Sequence, residues 1–158
     1  MIPKGVLDGI RVLDLSRGVA GPMATMLLAD HGAEVTRIEQ PDDDPGPERL
    51  GYRAWNRGKR SAVLDLSSEE DRRVLRSLAA AADVLVESFA PGESERLGVD
   101  YPSLSATNPR LIQCSITGHG RGTRDADRPA EDALVAARSG LQWEQRGWPG
   151  GSAPHLSG

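Results

Sequence analysis

The sequence predicts an α/β protein: a parallel sheet flanked by helices. Three observations carry this. Short apolar, β-rich runs recur at residues 10–15, 33–39, 61–66, 84–87 and 111–117. Segments with helical spacing or helix start signals separate most of them. The first strand–helix–strand passage has connections tight enough to favour a right-handed parallel crossover.

Each element has a local reason. Ile10-Arg11-Val12-Leu13-Asp14-Leu15 suits a buried strand, and it breaks at Ser16-Arg17-Gly18. Pro22 then fits the first helical position, where no backbone N–H is needed. Met23, Met26 and Leu27 recur at helical spacing, and Gly32 after His31 is a left-handed stop. Residues 40–58 differ: Pro41, Pro45, Pro47 and Asp42-Asp43-Asp44 deny them regular structure, leaving a long surface loop anchored by Tyr52 and Trp55. A loop of that length in a compact domain is often functional.

Further on, Ser67-Ser68-Glu69-Glu70 has capping-box spacing, opening a helix to about Ala82 with Val74, Leu75 and Leu78 as its inner stripe. After the fourth strand, residues 93–97 make a short helix closed by Gly98. Asp100 caps another through Leu104, halted before Asn108-Pro109. Gly118, Gly120 and Gly122 loosen the loop after the fifth strand, and residues 131–138 begin a last helix ended by Gly140. The ordered domain is expected over residues 1–140. Residues 141–158 form an irregular tail that reads as a chain interrupted in mid-loop.

Composition narrows the function. With 27% charged and 38% hydrophobic residues the chain is globular in type, and its net charge of -4 argues against a nucleic-acid or polybasic membrane module. Aromatic residues, at 4%, are too few for base-stacking platforms. No apolar run approaches the ~20 residues of a spanning helix. Met1-Ile2-Pro3-Lys4-Gly5 lacks a signal-peptide stretch, so the expected location is cytoplasmic. A single cysteine, Cys114, excludes an internal disulfide; its apolar run reads as core, making it an inert buried thiol.

In a parallel sheet, ligands sit beyond the carboxyl ends of the strands. Arg17-Gly18-Val19-Ala20-Gly21-Pro22 lies there but is not G-x-G-x-x-G, which counts against NAD even though Glu39 ends the second strand. No G-x-x-x-x-G-K-[ST] loop is present. Backbone N–H groups at residues 20–23 are suited to an anion. Arg17, Arg37, Arg57, Lys59, Arg60 and Arg96 cluster near strand ends, as a phosphate site or as a solvated rim. No metal-ligand spacing occurs. His31 reads as a helix cap. Asp65 and Glu87 read as strand-end caps. His119 has no triad partner, and Glu131 is the best general acid or base, or else a helix-start acid.

Several motifs in one register resemble the class III CoA-transferases, the group of formyl-CoA transferase, carnitine CoA-transferases and α-methylacyl-CoA racemase. They are Val12-Leu13-Asp14-Leu15-Ser16-Arg17, Ala20-Gly21-Pro22-Met23-Ala24, Asn56-Arg57-Gly58-Lys59-Arg60-Ser61, Ala82-Asp83-Val84-Leu85-Val86-Glu87, Arg96-Leu97-Gly98, and Arg128-Pro129-Ala130-Glu131-Asp132. The resemblance implies a Rossmann-like domain that binds coenzyme A or acyl-CoA as substrate, with no covalently bound cofactor. By motif position the contacts fall on Val19, Ala20, Gln40, Asn56, Arg57, Gly58, Lys59, Ser88, Phe89, Ala90, Arg96, Arg128, Pro129, Ala130 and Glu131. Glu131 would be an auxiliary acid near the thioester, and it leans towards a transferase because racemases of the group carry histidine there. Where the family writes Glu-Asn-Phe, this chain has Glu87-Ser88-Phe89.

The family's nucleophilic aspartate would follow a turn like residues 154–158. It attacks the donor thioester to give an acyl anhydride that coenzyme A reopens. The expectation is therefore an N-terminal fragment, inactive alone, of an enzyme moving CoA between carboxylic acids and forming interlocked homodimers. The alternatives are a racemase fragment, or a stand-alone module that binds CoA or a protein partner without catalysis.

Overall fold

A computed structural model describes residues 5–41, 49–128, 130 and 132–141. Five strands pair in parallel: β1 (Arg11–Leu15), β2 (Glu34–Glu39), β3 (Arg60–Val63), β4 (Val84–Glu87) and β5 (Ile112–Ser115). Their spatial order is β3-β2-β1-β4-β5. Helix α1 (Ala20–Asp30) joins β1 to β2, α2 (Arg49–Trp55) precedes β3, and α3 (Glu69–Ala81) crosses from β3 to β4. The short helices α4 (Glu93–Leu97) and α5 (Tyr101–Ser105) lie between β4 and β5. These elements form one compact unit, Met1–Ile116. A second unit, Thr117–Gly158, carries α6 (Asp132–Arg138).

Strand alternation builds two cores. Leu13, Leu15, Ile38 and Leu85 face one side, where they meet Leu75 and Ala79 of α3 with Leu97, Val99 and Leu104. Leu75 and Leu85 are fully buried, and truncating either to Ala would cost about 2–5 kcal/mol. Val12, Val35 and Val86 face the other side beneath Leu28 and Ala29 of α1.

The structure differs from the sequence expectations at identifiable points. Helix α1 starts at Ala20, with Met23 N–H donating to Val19 O (2.9 Å), so Pro22 lies inside the first turn. That position still needs no proline N–H. Residues 40–58 are not wholly irregular, because α2 begins at Arg49, past the last of the prolines. Pro45, Pro47 and the three aspartates are outside the described residues. Strand β3 ends at Val63, and Asp65 then turns the chain by accepting from Ser67 N–H and Oγ.

The capping box does not form. Ser68 is the N-cap, but its hydroxyl makes no cap bond, while Asp71 accepts from Asp65 N–H at 2.7 Å. Val74 is exposed, because α3 turns Leu75 and Ala79 inward, with Ala82 buried just past its end. Cys114 is exposed rather than in the core. Strand β5 is the sheet edge, and α1 packs over β2, β1 and β4. Ile112, two residues before Cys114 on the same face, is accordingly 64% exposed.

Candidate functional site

The winding order of the sheet reverses between β1 and β4: β1 leads to β2 on one side while β4 leads to β5 on the other. In a sheet of this topology the place for a ligand is beyond the carboxyl ends of β1 and β4. The two loops meet there, where Arg17 N–H donates to Ser88 Oγ at 2.7 Å.

Beneath the first of these loops lies a buried charge cluster centred on Asp14, whose side chain is fully buried in β1. Its Oδ1 accepts from Ser16 N–H (3.0 Å) and from the Ser16 hydroxyl. Its Oδ2 accepts from Thr25 Oγ1 (2.6 Å) and Lys59 Nζ (2.8 Å), with Arg37 Nη1 at 3.6 Å. Lys59 Nζ also donates to Pro22 O (2.8 Å) and Asn56 Oδ1 (2.9 Å). Arg37 donates to Ser16 O (3.0 Å), stacks over the Tyr52 ring and pairs with Glu39, which also accepts from the Tyr52 hydroxyl.

Burial alone would push the Asp14 carboxyl up. Hydrogen bonds from Lys59, Ser16 and Thr25, together with the Lys59 charge, hold it below the ordinary aspartate value. Burial lowers Lys59, and Asp14 opposes that shift.

The sequence-predicted residues divide by placement. Val19 is the N-cap of α1 and Ala20 opens the helix, both exposed; Gln40 follows β2 and is half-buried. Asn56 donates from Nδ2 to Tyr52 O (2.9 Å). Arg57 is exposed and bound to Asp30 (2.5 Å) and Ala54 O, and Gly58 follows it at φ +76°. Phe89 is buried, its N–H on Glu87 Oε2, and exposed Ala90 donates to Glu93. Arg96, on α4, is 67% exposed with Glu93 at 3.9 Å. Arg60 turns to Glu34 at the amino end of β2, so the basic residues do not all meet at the carboxyl rim.

In the second unit, Arg128 is exposed and its Nε forms an ion pair with Asp125 Oδ1 at 2.7 Å; Arg138 holds the other oxygen of that carboxylate. Ala130 packs on Gly118, where a Cβ would come within 2.4 Å of the Ala130 Cβ. Pro129 and Glu131 lie outside the described residues. His31 caps α1, its Nδ1 2.7 Å from Leu27 O.

Sequence reasoning missed Asp14. The signal was present: a carboxylate inside the apolar strand Val12-Leu13-Asp14-Leu15 needs a buried partner. Nothing local, however, points to Lys59.

A family model described as CoA-transferase family III matches residues 7–158. The chain belongs to CoA-transferase family III. It is 40% identical to acetyl-CoA:oxalate CoA-transferase of Acetobacter aceti, covering 99% of this chain and 42% of that protein. It is 39% identical to human succinyl-CoA:glutarate CoA-transferase, covering 85% of this chain and 33% of that one. A solved CAIB/BAIF family protein from Brucella suis superposes with a TM-score of 0.89 at 36% identity, over 99% of this chain and 44% of that one. This family III chain thus spans less than half the length of these relatives. No helix among its described residues is long and apolar enough to cross a membrane.

Proposed function

We propose that this chain is the coenzyme A-binding part of a family III enzyme that moves CoA between carboxylic acids, in the cytoplasm and as an interlocked homodimer of family-length chains. Residues 1–140 supply the ligand contacts. The observation that carries this reading is the reversal of winding order between β1 and β4, where Arg17 N–H meets Ser88 Oγ beside the exposed start of α1. Anionic groups are favoured at a helix start by its unpaired amides and dipole. Val19, Ala20, Gln40, Arg57, Gly58, Ala90 and Arg96 border the ligand; by motif position alone the family pattern adds Arg128, Pro129 and Ala130. Ser88 spans the loops with a hydroxyl where the family pattern has an amide. Glu131 is the auxiliary acid near the thioester, and the nucleophile is a carboxylate of the family-length protein.

Calorimetric titration of the chain with CoA and, separately, NAD tests this. CoA should bind and NAD should not. Arg96→Ala should weaken CoA by about 1.5–3 kcal/mol, the range for a charged hydrogen bond. Equal CoA affinity with and without Arg96 would remove that residue from the site. Binding of NAD in place of CoA would overturn the reading.

A further inference from the structure

Asn56 and Lys59 enter the coenzyme A site through their motif, yet the cluster around Asp14 uses their polar atoms otherwise. An ammonium has three donor protons. Those of Lys59 go to Asp14 Oδ2, Pro22 O and Asn56 Oδ1, and its side chain is 1% exposed. Asn56 accepts from Lys59 with Oδ1 and donates to Tyr52 O with Nδ2. If Lys59 turned to a phosphate, Asp14 would lose its nearest cation while fully buried, a costly exchange.

The same bonds reach the turn that carries Val19 and Ala20. At its start, Ser16 is held by Asp14 through its N–H and hydroxyl and by Arg37 through its carbonyl. At its end, Pro22 O is held by Lys59, and Thr25 one turn on is held by Asp14. Gly21 is pressed so closely on Ser16 that a Cβ would come within 2.2 Å of it. Both anchors of the turn end on Asp14, directly or through Lys59.

We propose that Asp14 and Lys59 are positioning residues: a buried pair that locks the turn at residues 16–22 to the turn at residues 56–59 and touches no ligand itself. The inference rests on the coenzyme A reading for what the lock serves, but the lock is measurable without ligand.

The test uses the 158-residue chain with Asp14→Asn, Lys59→Met and the double variant, whose net charge equals the parent's. Amide hydrogen exchange is followed without ligand, and CoA is then titrated at low and high salt, with Arg57→Ala for comparison. The double variant should melt closer to the parent than either single variant, since no buried charge is left unpaired. Its amides at residues 16–23 and 56–59 should nevertheless exchange together at least about tenfold faster, while α3 and β4 keep their protection. Its CoA dissociation constant should rise at least about tenfold, with the salt dependence unchanged.

Parent-like protection of both turns in the double variant would overturn the proposal. So would a Lys59→Met variant that loses as much salt dependence of CoA binding as Arg57→Ala, since that is the mark of a phosphate-contacting lysine. Where a single variant fails to fold, the double variant decides. If the parent takes up no CoA, the coenzyme A reading falls and the exchange measurement still decides the lock.

Discussion

Two carboxylates in this chain each gather several cations, one under the sheet's carboxyl rim and one on the surface of α3. Asp14 is fully buried and holds Lys59 and Arg37 with three hydrogen bonds from Ser16 and Thr25. Glu69 is half exposed and collects Arg72 (2.9 Å), Arg73 (3.8 Å) and Arg76 (2.6 Å). On paper the surface cluster has more charge pairs. In energy it has less at stake, because water competes for every group in it, whereas an unpaired Asp14 or Lys59 would have no water to turn to. The count of ion pairs therefore says little; burial decides which one constrains the backbone.

The largest effect should follow from breaking the buried pair on one side. Asp14→Asn leaves Lys59 charged and enclosed, and Lys59→Met does the same to Asp14. Each should lower the unfolding free energy by about 3–5 kcal/mol, against a total of about 5–15 for an ordinary domain. Urea denaturation of parent, singles and double would measure it. If the two single losses simply add in the double variant, Asp14 and Lys59 are not a coupled pair and the contrast with Glu69 loses its basis.

A pH series gives the next effect. Asp14 titrates below its ordinary value of 3.8 in the folded chain, so protons bind the unfolded state more readily. Its stabilisation is present above 3.8 and is lost as pH falls through the lower folded value. Glu69 is lowered too, through Arg76 and Arg72. Salt separates the two: at 1 M the screening length is only about 3 Å, and exposed pairs are damped most. The acid loss that persists in 1 M salt should combine Asp14 with Asp65 and Asp100, whose carboxyls Ser67 and, against burial, Ser103 lower by hydrogen bonds, and it should shrink in Asp14→Asn by the Asp14 share. An acid limb unchanged by that substitution would contradict the assignment.

What was legible in the sequence follows the same division between local and distant causes. The residues of β4 and α4, and the stop at Gly98 (φ +66°), depend on neighbours within a few positions and read correctly. So does the cap of α5, where Asp100 Oδ1 accepts from Ser103 N–H at 3.0 Å. The Asp14–Lys59 pair spans 45 positions, so no window shows it. Cys114 sits in an apolar run, but only strand order reveals that β5 is an edge. The same motif that points to coenzyme A names Lys59, and only the fold shows its ammonium turned inward.

The smallest predicted effect completes the contrast. Glu69→Gln removes the carboxylate from three arginines at once, yet each guanidinium keeps access to water. Arg72 also keeps its bonds to Leu66 O (2.8 Å) and Ser67 O (2.9 Å). Glu69 does stand in the first turn of α3, where its charge favours the helix dipole, but Glu70 and Asp71 remain there. The melting temperature should therefore fall only slightly, and the difference should vanish at 1 M salt. Calorimetric melts of parent and variant at low and high salt would check this. A loss comparable with that of Asp14→Asn, persisting in high salt, would show that the arginine cluster on α3 anchors the β3–α3 turn as firmly as Asp14 anchors its own.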